Sequence, residues 1–574
     1  MVTWSDVPLW RAAHIETVQD DASAARKAAR EQVQELEAHY SRIASQGLAI
    51  DAMRQALSRV QDELDHAVNA ISAYMLACAE AIDGVRVVEA KVRSALEISE
   101  EIGCTIYDDG SVSIPYIDLS DAVRYGKADV LLGKSNELHM CIADALSIAR
   151  KVDEELRRKL QELAEDRFEQ NGPKEGRHSA SPGLPDDADE SWSPSEVSAW
   201  WGALTDEERQ ACIERDPLKY GNLDGIDMAS RDKANRMALY GYDTGGNASI
   251  RLGSTGLLQQ AQDKFDQAQA AYDDCVGAHG LFSDEAMALK AERDRAGRDL
   301  ADLQKIDERL RKGAGEDGEP VSLLALDTSG EQVKAAVAVG DVDHAQHVAN
   351  FTPGMGTNVR DSLDNYVDVA DRMRDNTVEQ ANIEPSDVAV VAWLNYDAPT
   401  DITKTWDTDV ASTEKARAGA DRLAGFLTGV RSWRDEQGGS LHLTSVSHSY
   451  GSTTAGFAMR QMGEGVVDDH IYLASPGSAA YTVGALGVDP SHVWVSAVPE
   501  GDMVQGMGPD VTFGRNPEQL EGIQHLSGDA TGAQGYDPQP SSPVANHSSY
   551  FAPPKPGERN EAFDDVCRVL GGAK

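Results

Sequence analysis

The sequence predicts an α/β fold, a mostly parallel and doubly wound sheet, preceded by an all-α helical bundle region. Two observations predict this. In several long stretches before residue 320, apolar side chains recur every three or four positions, which is the period of an amphipathic helix. Beyond residue 320, short and nearly continuous apolar runs alternate with helical patterns, as they do in parallel sheets covered on both faces.

Residues 1–168 are predicted to form the helical bundle. One apolar stripe lies within residues 8–44 and a second runs from Met53 to Ile82, so two long helices joined by a short turn form an antiparallel hairpin. The Asp109-Gly110 pair between β-prone residues predicts a small β-hairpin, and residues 134–166 return to the helical period.

Composition places the further domain boundaries. Residues 169–190 are rich in Pro, Gly, Ser and charge, which predicts a disordered linker. Residues 191–319 are predicted to be a helical connecting region that begins with a capped helix at Ser193-Pro194 and contains a helical pair over 257–311. Residues 320–574 are predicted to form the α/β domain, which is long enough for a complete enzyme.

Seven β-rich runs define the predicted sheet. Only the residues TSGEQ separate the first two runs, so these two are expected to pair as an antiparallel hairpin. The runs are 321–327, 333–340, 347–352, 388–394, 441–447, 470–475 and 492–498.

Charge and hydropathy exclude several classes of partner. The 574 residues contain 53 Lys and Arg against 96 Asp and Glu, a formal net charge of −43, which argues against nucleic acid as a ligand. No apolar run is long enough for an integral membrane span. The N-terminal sequence shows no ordinary signal peptide, so we expect a cytoplasmic protein, the alternative being export without such a signal. The six cysteines are scattered singly, as buried thiols rather than zinc ligands or a disulfide framework.

Ser449 is the predicted nucleophile. It lies in the pentapeptide SHSYG, directly after a predicted strand and before a predicted helix, which is the arrangement of a nucleophile elbow. Gly451 is the small residue expected two positions after the nucleophile, and Ser447 stands where a glycine is usual two positions before it. A serine at the start of a helix is also favoured electrostatically as negative charge develops.

A serine nucleophile requires an acid and a base, which follow it in chain order in this architecture. Asp502 follows the last predicted strand, where ligands and catalytic groups collect in open α/β sheets, and Glu500 is the less favoured acid. His547, in a loop-like stretch, is the preferred base over His525.

The third requirement is an oxyanion hole. The main-chain N–H of Tyr450, the residue after the nucleophile, is one expected donor. The second is expected from the glycine-rich loop after residue 352, with Met355 preferred and Gly354 and Gly356 as alternatives. No nucleotide-binding motif or metal-ligand pattern is present in the sequence, so no cofactor or metal is expected.

The segment from about 321 to 551 resembles the actinobacterial α/β-hydrolase family of unknown function labelled DUF1023. The matching motifs are GDVDHAQHVANFTPGMGTNV, VAWLNYDAP, VSHSYGS, HIYLASPGS and HSSYF, preceded by a similar helical stretch that begins WWGALTDEERQ. The resemblance implies an α/β-hydrolase fold and a Ser-His-Asp architecture, in which the nucleophile maps onto Ser449, the acid onto Asp502 and the base onto His547.

The N-terminal hairpin is similar in layout to the WXG100-like modules associated with type VII secretion. Its turn, however, has Ser45-Gln46-Gly47 where those modules carry Trp-x-Gly. This resemblance implies a helical partner or self-association through the N-terminal bundle.

Together these features predict a serine hydrolase of the esterase or lipase type that cleaves a small ester, thioester or amide. The alternative is a non-catalytic interaction or secretion-associated protein that uses the hydrolase fold as a scaffold.

Overall fold

The computed structural model describes residues 2–41, 47–113, 128–169, 187–189, 191–241, 255–315, 318–400 and 409–572. The predicted turn at 45–47 and the predicted linker at 169–190 lie mostly outside these residues. By its contacts the chain divides into two compact units, Met1–Ile117 with Leu138–Arg209, and Asp118–Glu137 with Gln210–Lys574. The domain boundaries expected from composition stay a prediction.

The helices follow the apolar periodicity of the sequence. In chain order they are α1 (Ala12–Ser41), α2 (Leu48–Ile102), α3 (Ala128–Glu169), α4 (Pro194–Ala203), α5 (Asp206–Arg215), α6 (Pro217–Tyr220), α7 (Met228–Tyr240), α8 (Leu257–His279), α9 (Asp284–Lys312), α10 (Val359–Ala381), α11 (Glu414–Glu436), α12 (Tyr450–Met459), α13 (Asp510–Phe513) and α14 (Glu561–Leu570). The capped start predicted at Ser193-Pro194 is confirmed, because Ser193 and Glu196 form a reciprocal capping box.

The first unit is a bundle built on the two longest helices. Helix α2 runs well beyond the stripe that predicted it, as far as Ile102, and packs against α1. A buried apolar cluster joins α2 and α3 to the N-terminal residues Trp4 and Val7. The predicted β-hairpin is confirmed, since β1 (Thr105–Ile106) pairs antiparallel with β2 (Val112–Ser113) around a turn in which Gly110 adopts φ 82°.

The second unit contains an eight-stranded sheet. Its strands are β3 (Val321–Asp327), β4 (Lys334–Val339), β5 (His347–Thr352), β6 (Val388–Leu394), β7 (His442–His448), β8 (Asp469–Leu473), β9 (Val493–Ser496) and β10 (Gln524–His525), in the spatial order β10-β9-β8-β7-β5-β6-β4-β3. The predicted β3–β4 hairpin is antiparallel, β4 is also antiparallel to β6, and all other pairs are parallel.

Helices cover both faces of this sheet. On one face, α11 and α12 bury a cluster that includes Trp393, Leu423 and Ala455. On the other face, α9, α10 and α14 bury a second cluster that includes Phe351 and Leu363. The doubly wound α/β arrangement predicted from the sequence is therefore confirmed.

Two sequence expectations about cysteines and membranes can be compared with these residues. All six cysteines are described and are free thiols, five of them buried. Within the described ranges, no helix combines the length and the apolar character that crossing a bilayer requires.

The amino-terminal edge of the parallel strands is held by Asp469, the first residue of β8. Its carboxylate accepts a hydrogen bond from Trp494 Nε1 at 2.6 Å and lies 2.9 Å from a ring nitrogen of His442 and of His492. Burial works to raise the pKa of Asp469, but its contacts with His442 and Trp494 outweigh burial and lower it. Burial likewise works to lower the pKa of His442, and the Asp469 carboxylate reverses this and raises it.

These two shifts predict the pH at which Asp469→Asn is most harmful. The contribution of ionised Asp469 to the free energy of unfolding is present above a pH of about 4, and it is lost as the pH falls through the lowered pKa of Asp469. The contribution of protonated His442 is present below a pH of about 6.5, and it is lost as the pH rises through the raised pKa of His442. Asp469→Asn should therefore destabilise the protein by about 1–3 kcal/mol near pH 5.5 and by less at pH 9.

Thermal unfolding midpoints of both proteins at the two pH values check this prediction. His344→Gln is the control, because His344 pairs with Asp341 on the surface and its side chain is 82% exposed. If Asp469→Asn lowers the unfolding midpoint equally at both pH values, the ion pair between Asp469 and His442 is not the source of the stability.

Candidate active site

Ser449 lies at a strained turn between β7, which ends at His448, and α12, which begins at Tyr450. Its backbone adopts φ 57° and ψ −134°, a conformation that a side chain disfavours and that costs on the order of 1–3 kcal/mol. The turn is fastened to the neighbouring strand, because Ser449 N–H donates to the carbonyl of Leu473 at 3.0 Å. This strand–turn–helix geometry is the one expected of a nucleophile elbow.

The residues two positions before and after Ser449 explain how the turn fits. A Cβ on Gly451 would overlap the carbonyl oxygen of Pro353 and lie 2.6 Å from that of Thr352, so only glycine fits there. Ser447 is tolerated in the other position because its hydroxyl is fully buried and donates to the carbonyl of Ile471 at 3.0 Å.

The glycine-rich loop after β5 lies directly against Ser449. A Cβ placed on Gly354 would come within 2.5 Å of Ser449 Cβ and 2.9 Å of Ser449 Oγ. The loop is held from beneath by Tyr396, whose hydroxyl donates to the carbonyl of Pro353 at 2.7 Å. This loop therefore lies beside the Ser449 hydroxyl.

Not every amide proposed for the oxyanion hole is free. Gly356 N–H, an alternative donor in the sequence analysis, donates to the carbonyl of Pro399 at 2.7 Å and is therefore already engaged in this structure. Within the described part of the chain, no protein acceptor occupies the N–H of Met355, Gly354 or Tyr450. Tyr450 N–H is free because the first amides of a helix have no partner within it.

Asp502 and His547 form a hydrogen-bonded pair. His547 Nδ1 lies 2.9 Å from Asp502 Oδ1, and the Asp502 side chain is fully buried while that of His547 is 16% exposed. Asp502 follows β9 at the carboxyl edge of the sheet, and His547 belongs to the irregular chain just before the 3₁₀ turn Ser549–Phe551.

Asp502 is held in its ionised form. Burial by itself raises the pKa of this carboxyl, but the hydrogen bond and charge of His547, together with the hydrogen bond of Tyr550, outweigh burial and lower the pKa. Tyr550 Oη donates to Asp502 Oδ2 at 2.7 Å and accepts from Val498 N–H at 2.8 Å. Because an ionised carboxylate only accepts, Nδ1 of His547 carries a proton in this hydrogen bond.

His547 lies beside the elbow. Its ring centroid is 4.6 Å from that of His448, and its main-chain carbonyl accepts a hydrogen bond from His448 Nε2 at 2.7 Å. Ser449 Oγ makes no hydrogen bond to His547 among the described contacts. Such catalytic hydrogen bonds often tighten only when substrate binds.

The less favoured candidates have other surroundings. The main-chain carbonyl of Glu500 accepts a hydrogen bond from the Asn546 side chain at 2.9 Å, while the residue itself is exposed. His525 is exposed in the edge strand β10. Across the described ranges, no three His, Cys, Asp or Glu side chains are grouped so that they could hold a metal ion.

Comparison with known proteins identifies the family. A family profile described as alpha/beta hydrolase matches residues 328–512, a segment that contains Ser449 and Asp502 and ends before His547. The uncharacterized protein Rv0963c of Mycobacterium tuberculosis (strain H37Rv) is 33% identical over 235 residues, which are 40% of this chain and 83% of that relative. The chain belongs to the alpha/beta hydrolase family.

A second relative is much longer than the region that it shares with this chain. The uncharacterized protein Rv2079 of Mycobacterium tuberculosis (strain H37Rv) is 30% identical over 309 residues, or 53% of this chain. The chain spans 42% of the length of that relative.

Sequence reasoning missed three residues that shape the site of this alpha/beta hydrolase family member. Tyr550 lies in the HSSYF motif, only three positions after His547, but its bond to Asp502 joins segments far apart in the chain. Asn546 is fully buried and binds the carbonyls of Glu500 and Asp537. His448 contacts His547 across 99 positions of sequence. The only sequence signal for Tyr550 and Asn546 was that both lie within three positions of His547.

The close approach at Gly451 gives a prediction about stability. Gly451→Ala should destabilise the protein by about 3 kcal/mol, because the added methyl meets main-chain oxygens that cannot move aside. Gly277→Ala is the matched control, since Gly277 is also helical and a Cβ there meets nothing within 4 Å. Helix propensity alone would stabilise both variants by up to about 1 kcal/mol. Thermal unfolding midpoints that rise for both variants would contradict the close approach.

Proposed function

We propose that this chain is a serine hydrolase of the esterase or lipase type, which cleaves a carboxylic ester, thioester or amide through an acyl-enzyme on Ser449. The observation that carries the proposal is the strained elbow at Ser449 with the hydrogen-bonded Asp502–His547 pair beside it. The family supports hydrolysis, and the site residues support this class of hydrolysis.

In the first step, Ser449 Oγ attacks the substrate carbonyl carbon while His547 Nε2 takes the hydroxyl proton. The Asp502 carboxylate accepts from Nδ1, which keeps the ring in the required tautomer and stabilises the imidazolium that forms. Burial and Tyr550 keep that carboxylate oriented.

The negative charge that develops on the carbonyl oxygen is met by main-chain amides. Met355 and Tyr450 are the preferred donors, and Gly354 is the alternative in the same loop. The start of α12 adds the positive end of a helix dipole. Removing one such donor typically costs about 3 kcal/mol of barrier lowering.

Collapse of the tetrahedral intermediate breaks the bond to the leaving group, which takes the proton from His547. Water then attacks the acyl-enzyme, with His547 as general base, and Ser449 leaves with a proton returned by His547. No cofactor takes part in this scheme.

A fluorophosphonate probe tests the proposal directly. The folded wild-type protein should be labelled on one serine, and Ser449→Ala should abolish labelling. His547→Ala and Asp502→Asn should lower the labelling rate and the kcat for ester hydrolysis by about 10³–10⁴. The first variant removes the base that takes the serine proton, and the second no longer holds the histidine in the tautomer that can take it. Absence of labelling in folded wild-type protein would favour the non-catalytic scaffold.

We infer a preference for a substrate with an apolar acyl chain from two exposed apolar side chains that are near the acid and the base in the sequence. Met503 follows Asp502 and is 64% exposed, and Val544 is 46% exposed on the segment that carries His547. The two segments are joined, because Met503 N–H donates to the carbonyl of Pro543 at 2.9 Å. Apolar side chains exposed at the rim of a reactive site can cover an acyl chain and remove it from water.

A panel of p-nitrophenyl esters from acetate to octanoate tests this preference. kcat/KM should rise about two- to fourfold for each added methylene that is buried, and Met503→Ser should flatten the dependence. Met287→Ser is the matched control, since Met287 is 60% exposed on α9, which carries none of the site residues. A dependence equally steep in both variants would exclude Met503 from the acyl site.

The remaining parts of the proposal concern the chain outside the site. We retain the assignment to DUF1023, a WXG100-like role of the N-terminal hairpin in binding a helical partner, and the predicted domain boundaries as hypotheses. The helical pair of α1 and α2 supports the second of these. A cytoplasmic location is the preferred hypothesis, with export as the alternative.

A further inference from the structure

The base of the proposed triad is carried by irregular chain. Between β10 and the turn at Ser549–Phe551, the described residues form no helix or strand apart from one isolated bridge. Asn546 ties this segment to the loop of Asp502, since its side chain donates to the carbonyl of Glu500 at 2.9 Å and its N–H donates to the carbonyl of Gly501 at 2.9 Å. These bonds locate the base relative to the acid, and a separate contact must locate it relative to the nucleophile.

His448 makes that contact. It is the last residue of β7, is only 4% exposed and directly precedes Ser449. Its Nε2–H donates to the main-chain carbonyl of His547 at 2.7 Å, and its ring lies 4.6 Å from the His547 ring. The Phe551 ring also packs against His448, with the centroids 4.9 Å apart and the ring planes nearly perpendicular.

The charge state of His448 suits this place. Burial, with the neighbouring His547 as a smaller cause, lowers the pKa of His448 to about 3, so the ring is neutral at neutral pH. Its single N–H is the one given to His547, and Nδ1 is buried with no hydrogen-bond partner. A neutral ring puts no positive charge against the imidazolium that His547 becomes during the reaction.

We propose that His448 is a positioning residue for the general base, holding the main chain of His547 at a set distance from the Ser449 turn. The inference rests on the proposed function. His448 belongs to the strand that ends at the Ser449 turn and also binds the main chain of His547. It therefore connects the segments that carry the nucleophile and the base through one residue. Misplacement of such groups by about 1 Å can lower a rate about 100-fold.

Two substitutions separate the hydrogen bond from the packing. His448→Gln retains an N–H donor at nearly the place of Nε2, whereas His448→Phe retains a flat ring and loses the donor. His448→Phe should lower kcat and the fluorophosphonate labelling rate about 10- to 100-fold with KM within about threefold, and His448→Gln should restore both rates to within about fivefold of wild type. His448→Asn, whose amide is too short to reach, repeats the test if the Phe variant does not fold.

His470→Phe is the matched control. His470 is another buried histidine, in β8, and burial also lowers its pKa to about 3. Its ring lies nearly perpendicular to that of Tyr472, with the centroids 4.3 Å apart, and among the described hydrogen bonds its side chain makes none to Ser449, Asp502 or His547. This variant should lower the thermal unfolding midpoint without lowering kcat.

The outcomes distinguish the two proposals. If wild-type protein is labelled on Ser449 and His448→Phe reacts at the wild-type rate, or if His448→Gln is as slow as His448→Phe, the positioning role is wrong while the hydrolase proposal stands. If folded wild-type protein is not labelled at all, the proposed function is wrong and the positioning role falls with it.

Discussion

The candidate site depends on one close approach of backbone to backbone, between the end of β5 and the first turn of α12. The carbonyls of Thr352 and Pro353 lie where a side chain on Gly451 would have to be. This approach is what lets Gly354 lie against Ser449, beyond the carboxyl ends of the neighbouring parallel strands β5 and β7. The strained backbone at Ser449 persists because the surrounding strands over-determine it.

The acid and the base reach the same point by a different route. Neither lies on a regular element, so their positions come from side chains that bind main-chain groups. Tyr550 joins Asp502 to the end of β9 through Val498 N–H, and Asn546 joins the two loops. Buried polar groups of this kind are satisfied by several partners each, which makes their geometry well defined although the chain is irregular.

Much of this arrangement could be predicted from the sequence, and there is a physical reason why some parts could be predicted and others could not. β3, β5 and β6 were predicted residue for residue. β3 and β6 are nearly continuous apolar runs covered on both faces, and β5 is a β-rich run that ends at the glycine-rich loop. β10 was missed since two residues carry no period. Ser449 was predicted because the elbow needs small residues at fixed spacing, a local signal. The bond between Gly356 N–H and Pro399 joins distant loops, and no local pattern could indicate it.

The serine at position 447 has a consequence for how such elbows are sought among other chains. Glycine is usual there, yet Ser447 replaces it at no evident steric cost, because its hydroxyl joins the carbonyl of Ile471 on the adjacent strand. Where a carbonyl of the adjacent strand lies within reach of that position, a buried serine hydroxyl there has a hydrogen-bond acceptor. A search pattern that requires glycine two positions before the nucleophile will miss such chains. A pattern that also admits serine there, and keeps a small residue two positions after the nucleophile, will find them.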